Sequence, residues 1–223
     1  MINRLEKITV VTGHYGSGKT NLAVNLAMDL RRAGKQVVLV DLDIVNPYFR
    51  SADFKTQLQE MGIDMICPVY ANTNLDLPSL SPMVYSVFAA HDDRYVILDV
   101  GGDDAGAAAL GRFAAMIKEH PWKMLYVVNR YRYLTQEPQQ AVEILREIEA
   151  TSRLEVTAVV NNSNLGGLTG KEDILSSEAF GLETARLANV EFLGTSVRRD
   201  LACDIGLQQV YPVDILVQPP WAD

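Results

Sequence analysis

Eight consecutive residues near the start of the chain have the spacing of a phosphate-binding loop. They are Gly13, His14, Tyr15, Gly16, Ser17, Gly18, Lys19 and Thr20, and they match the pattern G-x-x-x-x-G-K-[ST]. In such a loop backbone N–H groups close around the β- and γ-phosphates, the lysine neutralises them, and the last hydroxyl ligates Mg²⁺. The sequence therefore predicts a nucleoside triphosphate site formed by these residues and by Asn21, which follows them.

The residues on either side of this loop have the patterns that its geometry requires. An apolar run at residues 8–12 precedes it and predicts a strand. After the loop, Leu22, Ala23, Leu26, Ala27 and Leu30 recur at helical spacing until Gly34. A strand, a glycine-rich turn and a helix in this order bring backbone donors and the positive end of a helix to one point.

Short runs rich in Val and Ile alternate with helical patterns along the whole chain. They lie at residues 8–12, 37–41, 64–67, 96–99, 125–129, 156–161 and 190–193. This alternation predicts an α/β fold, a doubly wound and mostly parallel sheet with helices on both faces. The length of 223 residues and the absence of a visible linker indicate a single domain over residues 1–223.

Aspartates end two of these runs, where ligands of parallel sheets bind. Asp41 and Asp43 end the second run, and Asp99 and Asp103 the fourth. Two carboxylates about 4 Å apart repel each other by roughly 4 kcal/mol at an effective dielectric near 20. Mg²⁺ held by Thr20, Asp43, Asp99 and phosphate oxygens would remove this cost. For Asp41 a second interpretation stays open, that it caps the turn after its strand.

These motifs together resemble a known family over nearly the whole chain. They are the phosphate loop, the strand end at 40–44, the run Asp99-Val100-Gly101-Gly102-Asp103, the asparagines of the sixth run and the segment 192–200. The chain resembles the deviant Walker A ATPases of the SIMIBI class, which include MinD, ParA and the nitrogenase iron protein. The resemblance implies a three-layer P-loop NTPase fold, with Asp43 orienting the attacking water, Asp99 serving the metal and Gly102 sensing the γ-phosphate.

Two features depart from that family. Its loop has a lysine directly after the first glycine, which reaches the nucleotide of a partner subunit, whereas this chain has His14, followed by Tyr15 in place of a glycine. The iron protein has a cluster-binding cysteine just after its second switch, where this chain has Asp, Ala, Gly and Ala at 104–107. We therefore expect no iron–sulfur cluster, and dimerisation around ATP stays uncertain.

The end of the sixth run bears on the choice of base. A guanine site of the GTPase type needs Asn-Lys-x-Asp, and this chain has Asn161, Asn162, Ser163 and Asn164 instead. An asparagine amide both donates to and accepts from adenine, which favours ATP over GTP. By the resemblance Asn162 is the first candidate for base contact and Asn161 the second. Alternatively, these amides cap the loop that follows the strand.

Two further segments could respond to the nucleotide. Residues 101–111 are rich in glycine and alanine, which predicts a switch that changes backbone conformation with little steric hindrance. The loop at 46–51 follows Asp43 and contains Tyr48, Phe49 and Arg50. These side chains could form a contact surface that appears when ATP is bound, although core packing of the two aromatic residues is the simpler interpretation.

Composition limits the partners. A net charge of −8 argues against a protein that coats nucleic acid, because phosphates would be repelled over most of its surface. No stretch reaches the roughly 20 apolar residues needed to span a bilayer, and no signal segment is visible at the N-terminus. We therefore expect a cytoplasmic chain with no membrane partner. The two cysteines, Cys67 and Cys203, fit no metal spacing and predict buried thiols.

The prediction from sequence is a Mg²⁺-dependent ATPase that acts as a switch on a protein partner. Lys19, Asp43 and Asp99 are its expected catalytic residues. Two alternatives stay open. One is a phosphotransferase or ATP-dependent ligase, in which His14, Tyr15, Tyr48 and Arg50 would line an acceptor pocket. The other is an adaptor that binds the nucleotide without hydrolysing it.

Overall fold

The computed structural model describes residues 1–43, 55–67, 83–89 and 93–217. Their centre is one eight-stranded sheet in which all pairings are parallel, with the order β3-β2-β4-β1-β5-β6-β7-β8. The strands are β1 Ile8–Thr12, β2 Val37–Asp41, β3 Ile63–Ile66, β4 Tyr95–Asp99, β5 Trp122–Val128, β6 Ala158–Asn161, β7 Glu191–Arg198 and β8 Val210–Val213. The predicted doubly wound sheet is confirmed. It was predicted to be mostly parallel, and all of its described strand pairings are parallel.

The seven predicted strands are all present, but the eighth was not predicted. β8 pairs only with β7 and contains Pro212, a residue that argues against a strand in sequence and is tolerated at sheet edges. β7 also extends to Arg198, beyond its predicted apolar run. Its added residues Thr195 and Ser196 are buried although polar, which explains why hydropathy did not reveal them.

Helices cover both faces of the sheet. Their bounds are α1 Lys19–Arg32, α2 Lys55–Glu60, α3 Met83–Ala89, α4 Asp104–Gly111, α5 Ala114–Ile117, α6 Pro138–Ser152, α7 Lys171–Ala188 and α8 Arg199–Ala202. Alternate strand residues face opposite layers, as the period of two requires. On one face they pack with helices α3 to α7, and on the other with α1 and Leu58 of α2. Burial on both sides explains the continuous apolar runs.

Helix α1 starts and stops where the sequence indicated. Gly18, at φ +88°, lies just before its first residue, and Gly34, at φ +80°, lies just after its end. The N–H of Gly34 donates to the carbonyl of Arg31 at 3.0 Å, and that of Lys35 to Leu30 at 3.1 Å. These two bonds form a Schellman motif, which needs a left-handed residue at the Gly34 position.

The fold brings the predicted polar strand ends to one edge of the sheet. β1 lies between β4 and β5, and Asp41 pairs in register with Asp99 across β2 and β4. Among the described helices, none combines the length and apolar character needed to cross a membrane. Cys203 is exposed and Cys67 half-buried, so the expectation of two buried thiols was wrong; Cys203 directly follows the short surface helix α8. The loop at 46–51 with Tyr48, Phe49 and Arg50 lies outside the described residues.

Candidate functional site

The loop between β1 and α1 has a backbone conformation that depends on three glycines. Gly13, Gly16 and Gly18 adopt φ values of +146°, +73° and +88°, which residues with a side chain rarely reach. A Cβ at Gly13 would collide with the carbonyl of Val127 on β5, and one at Gly18 with the amide of Asn162. Ser17 is buried, and its hydroxyl has no hydrogen-bond partner among the described residues. The loop is thus tightly enclosed by β5 and the end of β6.

Lys19 lies inside this cradle and is only 7% exposed. Its Nζ donates to the carbonyl of His14 at 3.1 Å, so the side chain folds back across the loop. Burial lowers the Lys19 pKa, and the nearby carboxylates of Asp99, Asp43 and Asp103 oppose that shift. These acidic groups offset part of the cost of burying the ammonium, and phosphates bound by the loop would offset it further.

Asp99, at the end of β4, has a carboxyl group whose pKa is strongly raised. Burial, followed by the charge of Asp41, raises the pKa of Asp99 to about 8, although a hydrogen bond from Thr20 and the charge of Lys19 act the other way. Its Oδ1 is buried without a hydrogen-bond partner among the described residues. A buried carboxyl oxygen that lacks a hydrogen-bond partner is suited to a cation.

The two aspartates after β2 have different surroundings. Oδ1 of Asp41 accepts the backbone N–H of Asp43 at 2.9 Å, which confirms the interpretation of Asp41 as a turn cap. Asp43 is 8% exposed, and Gly101 packs against its carboxylate so closely that a Cβ there would lie 3.1 Å from Asp43 Oδ1. Asp43 therefore lies between the end of β2 and the segment that follows β4.

The segment after β4 contacts the phosphate loop directly. A Cβ at Gly102 would lie 2.5 Å from Lys19 Nζ and 2.7 Å from the backbone nitrogen of Tyr15. Asp103 caps helix α4, because its Oδ1 accepts the N–H of Gly106 at 2.8 Å. Most of the glycine- and alanine-rich segment 101–111 is therefore helix α4, and its role as a switch stays a prediction.

The two asparagines at the end of β6 hold the site together. Asn162 donates from Nδ2 to the carbonyl of Ser17 at 2.6 Å and accepts the hydroxyl of Ser196. Asn161 is fully buried; its Nδ2 donates to Ser177 Oγ at 2.9 Å and its Oδ1 accepts from Ser163 Oγ at 2.7 Å. Both amides thus have partners within the fold, in line with the loop-capping alternative, and contact with a base stays a prediction.

His14 and Tyr15 form the outer part of the loop. Burial, then the charges of Lys19 and Arg132, lower the pKa of His14, so its imidazole is neutral at physiological pH. Its Nδ1 lies 3.2 Å from the carbonyl oxygen of Tyr15, and the Tyr15 side chain is half-exposed. The loop therefore lacks the fixed positive charge that a lysine would supply at position 14.

Asn21 has a structural partner that the sequence did not reveal. Its Oδ1 accepts the N–H groups of Leu216 and Val217 at 2.9 and 3.2 Å, and its Nδ2 donates to the carbonyl of Asp214 at 3.1 Å. Asn25, one turn later, donates from its Nδ2 to the same carbonyl, and its Oδ1 accepts the backbone N–H of Asp214. Only the backbone of Asn21 is left to serve a phosphate, and its predicted part in nucleotide binding stays untested.

Arg132 is a site residue that sequence reasoning missed. It lies after β5, and its Nε donates to the carbonyl of Gly16 at 2.9 Å. The only available signal was its position beyond a strand end, four residues after the last residue of β5. Nothing in the local pattern indicated contact with a loop 116 residues away.

The donors present fit a magnesium ion bound together with a nucleotide. The described residues hold no group of three or more His, Cys, Asp or Glu side chains that could bind a metal by themselves. Mg²⁺ usually takes one or two carboxylates and completes its shell with waters and phosphate oxygens. Thr20, Asp99 and Asp43 match that smaller set of protein ligands, and the unpartnered Oδ1 of Asp99 is the atom that a cation would satisfy.

Solved structures similar to this chain support its fold. Cell division protein FtsY from Thermotoga maritima has a TM-score of 0.56 at 20% identity, over 86% of this chain and 61% of that one. The 54 kDa protein of the signal recognition particle from Aeropyrum pernix K1, in complex with GDP, gives 0.55 at 18%, over 84% and 41%. A nucleotide-binding protein from Archaeoglobus fulgidus, in complex with ADP, gives 0.51 at 16%, over 87% and 82%.

This chain thus spans about three fifths of the FtsY protein and two fifths of the signal recognition particle protein. No curated protein is significantly similar to it in sequence. The family model described as the CobQ/CobB/MinD/ParA nucleotide binding domain matches residues 8–167, from the start of β1 to beyond the end of β6. The chain belongs to the CobQ/CobB/MinD/ParA nucleotide-binding family, within the SIMIBI class of P-loop NTPases.

Proposed function

We propose that this chain is a Mg²⁺-dependent ATPase of the MinD/ParA type that works as a switch on a protein partner. The observation that carries the proposal is the arrangement around Asp99. Its carboxyl is buried, has an unpartnered oxygen, accepts a hydrogen bond from Thr20 and lies near the ammonium of Lys19. That combination suits a site that becomes electrostatically satisfied when a metal and a triphosphate arrive together.

The proposed roles follow from these positions. The loop amides and Lys19 hold the phosphates, and Thr20 and Asp99 hold the metal, which when bound offsets the charge of the phosphate oxygens. Asp43, oriented by the turn that Asp41 caps, would position the attacking water and could contribute an oxygen to the metal. Because phosphoryl transfer depends mostly on positioning and charge neutralisation, these groups suffice for slow hydrolysis of the β–γ bond.

ATP is proposed over GTP from the residues at the end of β6. A guanine-specific site of the GTPase type needs Asn-Lys-x-Asp, whereas this chain has Asn161, Asn162, Ser163 and Asn164. An asparagine amide can pair with adenine. The solved relatives do not decide the base, since one was solved with GDP and another with ADP. Titration of the chain with ATP and with GTP in the presence of Mg²⁺ tests this choice. Tighter binding of GTP than of ATP would contradict it.

The phosphate site itself is tested by Lys19→Ala. Charge-assisted hydrogen bonds contribute about 1.5–3 kcal/mol each, so we expect loss of ATP binding and turnover with an unchanged circular dichroism spectrum. Arg153→Ala is a control for the loss of one cation, because Arg153 is exposed and directly follows helix α6. A Lys19→Ala variant that hydrolyses ATP at the wild-type rate would remove the phosphate loop from the reaction.

A further inference from the structure

Arg132 packs against the phosphate loop in space that is free because Gly16 has no side chain. Besides the hydrogen bond from its Nε to the Gly16 carbonyl, a Cβ at Gly16 would lie 3.1 Å from Arg132 Nε and 3.3 Å from its Cζ. A residue with a side chain at position 16 would therefore push the guanidinium away. Glycine at this position both allows the left-handed turn and leaves room for the arginine.

The turn that carries Arg132 is firmly held. The hydroxyl of Thr135 donates to the carbonyl of Asn129 at 2.7 Å, and the N–H of Arg132 donates to the same carbonyl at 3.2 Å. Asn129 and Thr135 are both almost completely buried. These buried hydrogen bonds fix the backbone of the loop after β5, from which the Arg132 side chain contacts the phosphate loop.

Among the residues that the structure describes, none pairs its charge with that of Arg132. Its Nη groups make neither a hydrogen bond nor an ion pair with any residue in the described ranges, whereas Arg199 pairs with Asp214 at 2.8 Å and Arg186 with Glu183 at 2.6 Å. A guanidinium has five donors and suits phosphate oxygens well. An uncompensated one beside a phosphate cradle points to an anionic ligand.

Arg132 and Gly102 approach the same short stretch of the loop from two sides. Gly102, after β4, packs against the backbone of Tyr15, and Arg132, after β5, packs against Gly16. β1 separates β4 from β5 in the sheet, so the two segments flank the loop on opposite sides. The terminal phosphate of a nucleotide bound by the loop would lie between them.

We propose that Arg132 binds the terminal phosphate of the nucleotide held by its own chain, as a second cation beside Lys19. The inference rests on the proposed function, because it needs a triphosphate in the loop. It assigns to Arg132, in the same subunit, the positive charge that position 14 lacks in this chain.

Titration calorimetry with Mg²⁺ and either ATP or ADP tests the proposal on the wild type, Arg132→Ala and Arg132→Lys. We expect Arg132→Ala to weaken ATP binding roughly tenfold or more and ADP binding less than about threefold, with Arg132→Lys in between. Arg130→Ala is the matched control, since Arg130 is in the same loop but donates to the carbonyl of Ser176 at 2.9 Å. It should change neither affinity.

Two outcomes would overturn the proposal. Equal weakening of ATP and ADP would show that Arg132 only supports the loop through Gly16, and unchanged binding of both would show that it touches no phosphate. Lys19→Ala, measured alongside, separates this failure from failure of the proposed function. If the wild type binds ATP and Lys19→Ala does not, a normal Arg132→Ala overturns the inference alone; if the wild type binds no nucleotide, both fall.

Discussion

Asp99 is the residue whose surroundings most clearly demand a ligand. In water an aspartate is ionised at neutral pH, but burial and the neighbouring Asp41 raise the pKa of Asp99 from 3.8 to about 8. We therefore expect the chain without nucleotide and metal to hold a proton there at neutral pH. Under the proposed function, a bound cation would replace that proton, so that loading of the site would depend on pH.

This pKa predicts how the stability of the unliganded chain depends on pH. Because the folded pKa lies above the unfolded value, the folded state binds the extra proton between pH 3.8 and about 8. The contribution is present at low pH and is lost as pH rises through the folded pKa, by up to about 1.4 kcal/mol per pH unit. Denaturant unfolding of the wild type and Asp99→Asn between pH 6 and 8 measures it.

The difference between the two proteins isolates Asp99 from other titrating groups. The wild type should lose stability relative to Asp99→Asn as the pH rises, since the amide cannot ionise. Parallel stability curves for the two proteins over this range would show that Asp99 is already ionised in the unliganded fold.

At the scale of elements, the site depends on the contact between the segment after β4 and the phosphate loop. Gly102 touches Tyr15 and Lys19 so closely that an added methyl group would require the backbone of one segment to move. We predict that Gly102→Ala destabilises the chain by about 1–3 kcal/mol and weakens ATP binding more than tenfold. Urea unfolding and nucleotide titration measure the two effects.

Gly167→Ala provides the control for that change. Gly167 is exposed, and a Cβ there would meet nothing within 4 Å, so stability and nucleotide affinity should both stay close to wild type. If Gly102→Ala behaves like Gly167→Ala, the two segments are not in the close contact described, and a γ-phosphate sensor at Gly102 loses its structural basis.

The sequence predicted the elements that local patterns determine. The phosphate loop, the seven apolar strands and the end of α1 at Gly34 all follow from short-range spacing and glycine geometry. β8, with Pro212, lacks such a pattern, and the contacts of Arg132 with Gly16 and of Asn21 with Asp214 join residues 116 and 193 positions apart. Those contacts depend on the order of the strands in the sheet, which local residue spacing does not predict.

At the scale of the whole molecule, the question is whether ATP drives two copies together. His14 stands where the deviant Walker A ATPases that the chain resembles have a lysine that reaches the partner's nucleotide, and its lowered pKa leaves it neutral. A neutral imidazole can donate a hydrogen bond but stabilises developing charge poorly. We predict weak or absent ATP-driven dimerisation, measured by sedimentation of Asp43→Asn with ATP and Mg²⁺.

A tight ATP-dependent dimer that dissociates on His14→Ala would contradict this prediction. It would show that the histidine has taken over the role of the cross-subunit lysine. Under the switch hypothesis, the same Asp43→Asn protein should hold its partner longest in the presence of ATP, because its nucleotide is not consumed.

The most direct test of the central claim compares ATP binding with single-turnover hydrolysis in the wild type and Asp43→Asn. We predict that Asp43→Asn binds Mg²⁺-ATP within about threefold of the wild type but hydrolyses it at least tenfold more slowly, which is about 1.4 kcal/mol in the barrier. Equal rates of phosphate release from the two proteins would contradict the account, since Asp43 would then only end its strand and another group would position the water.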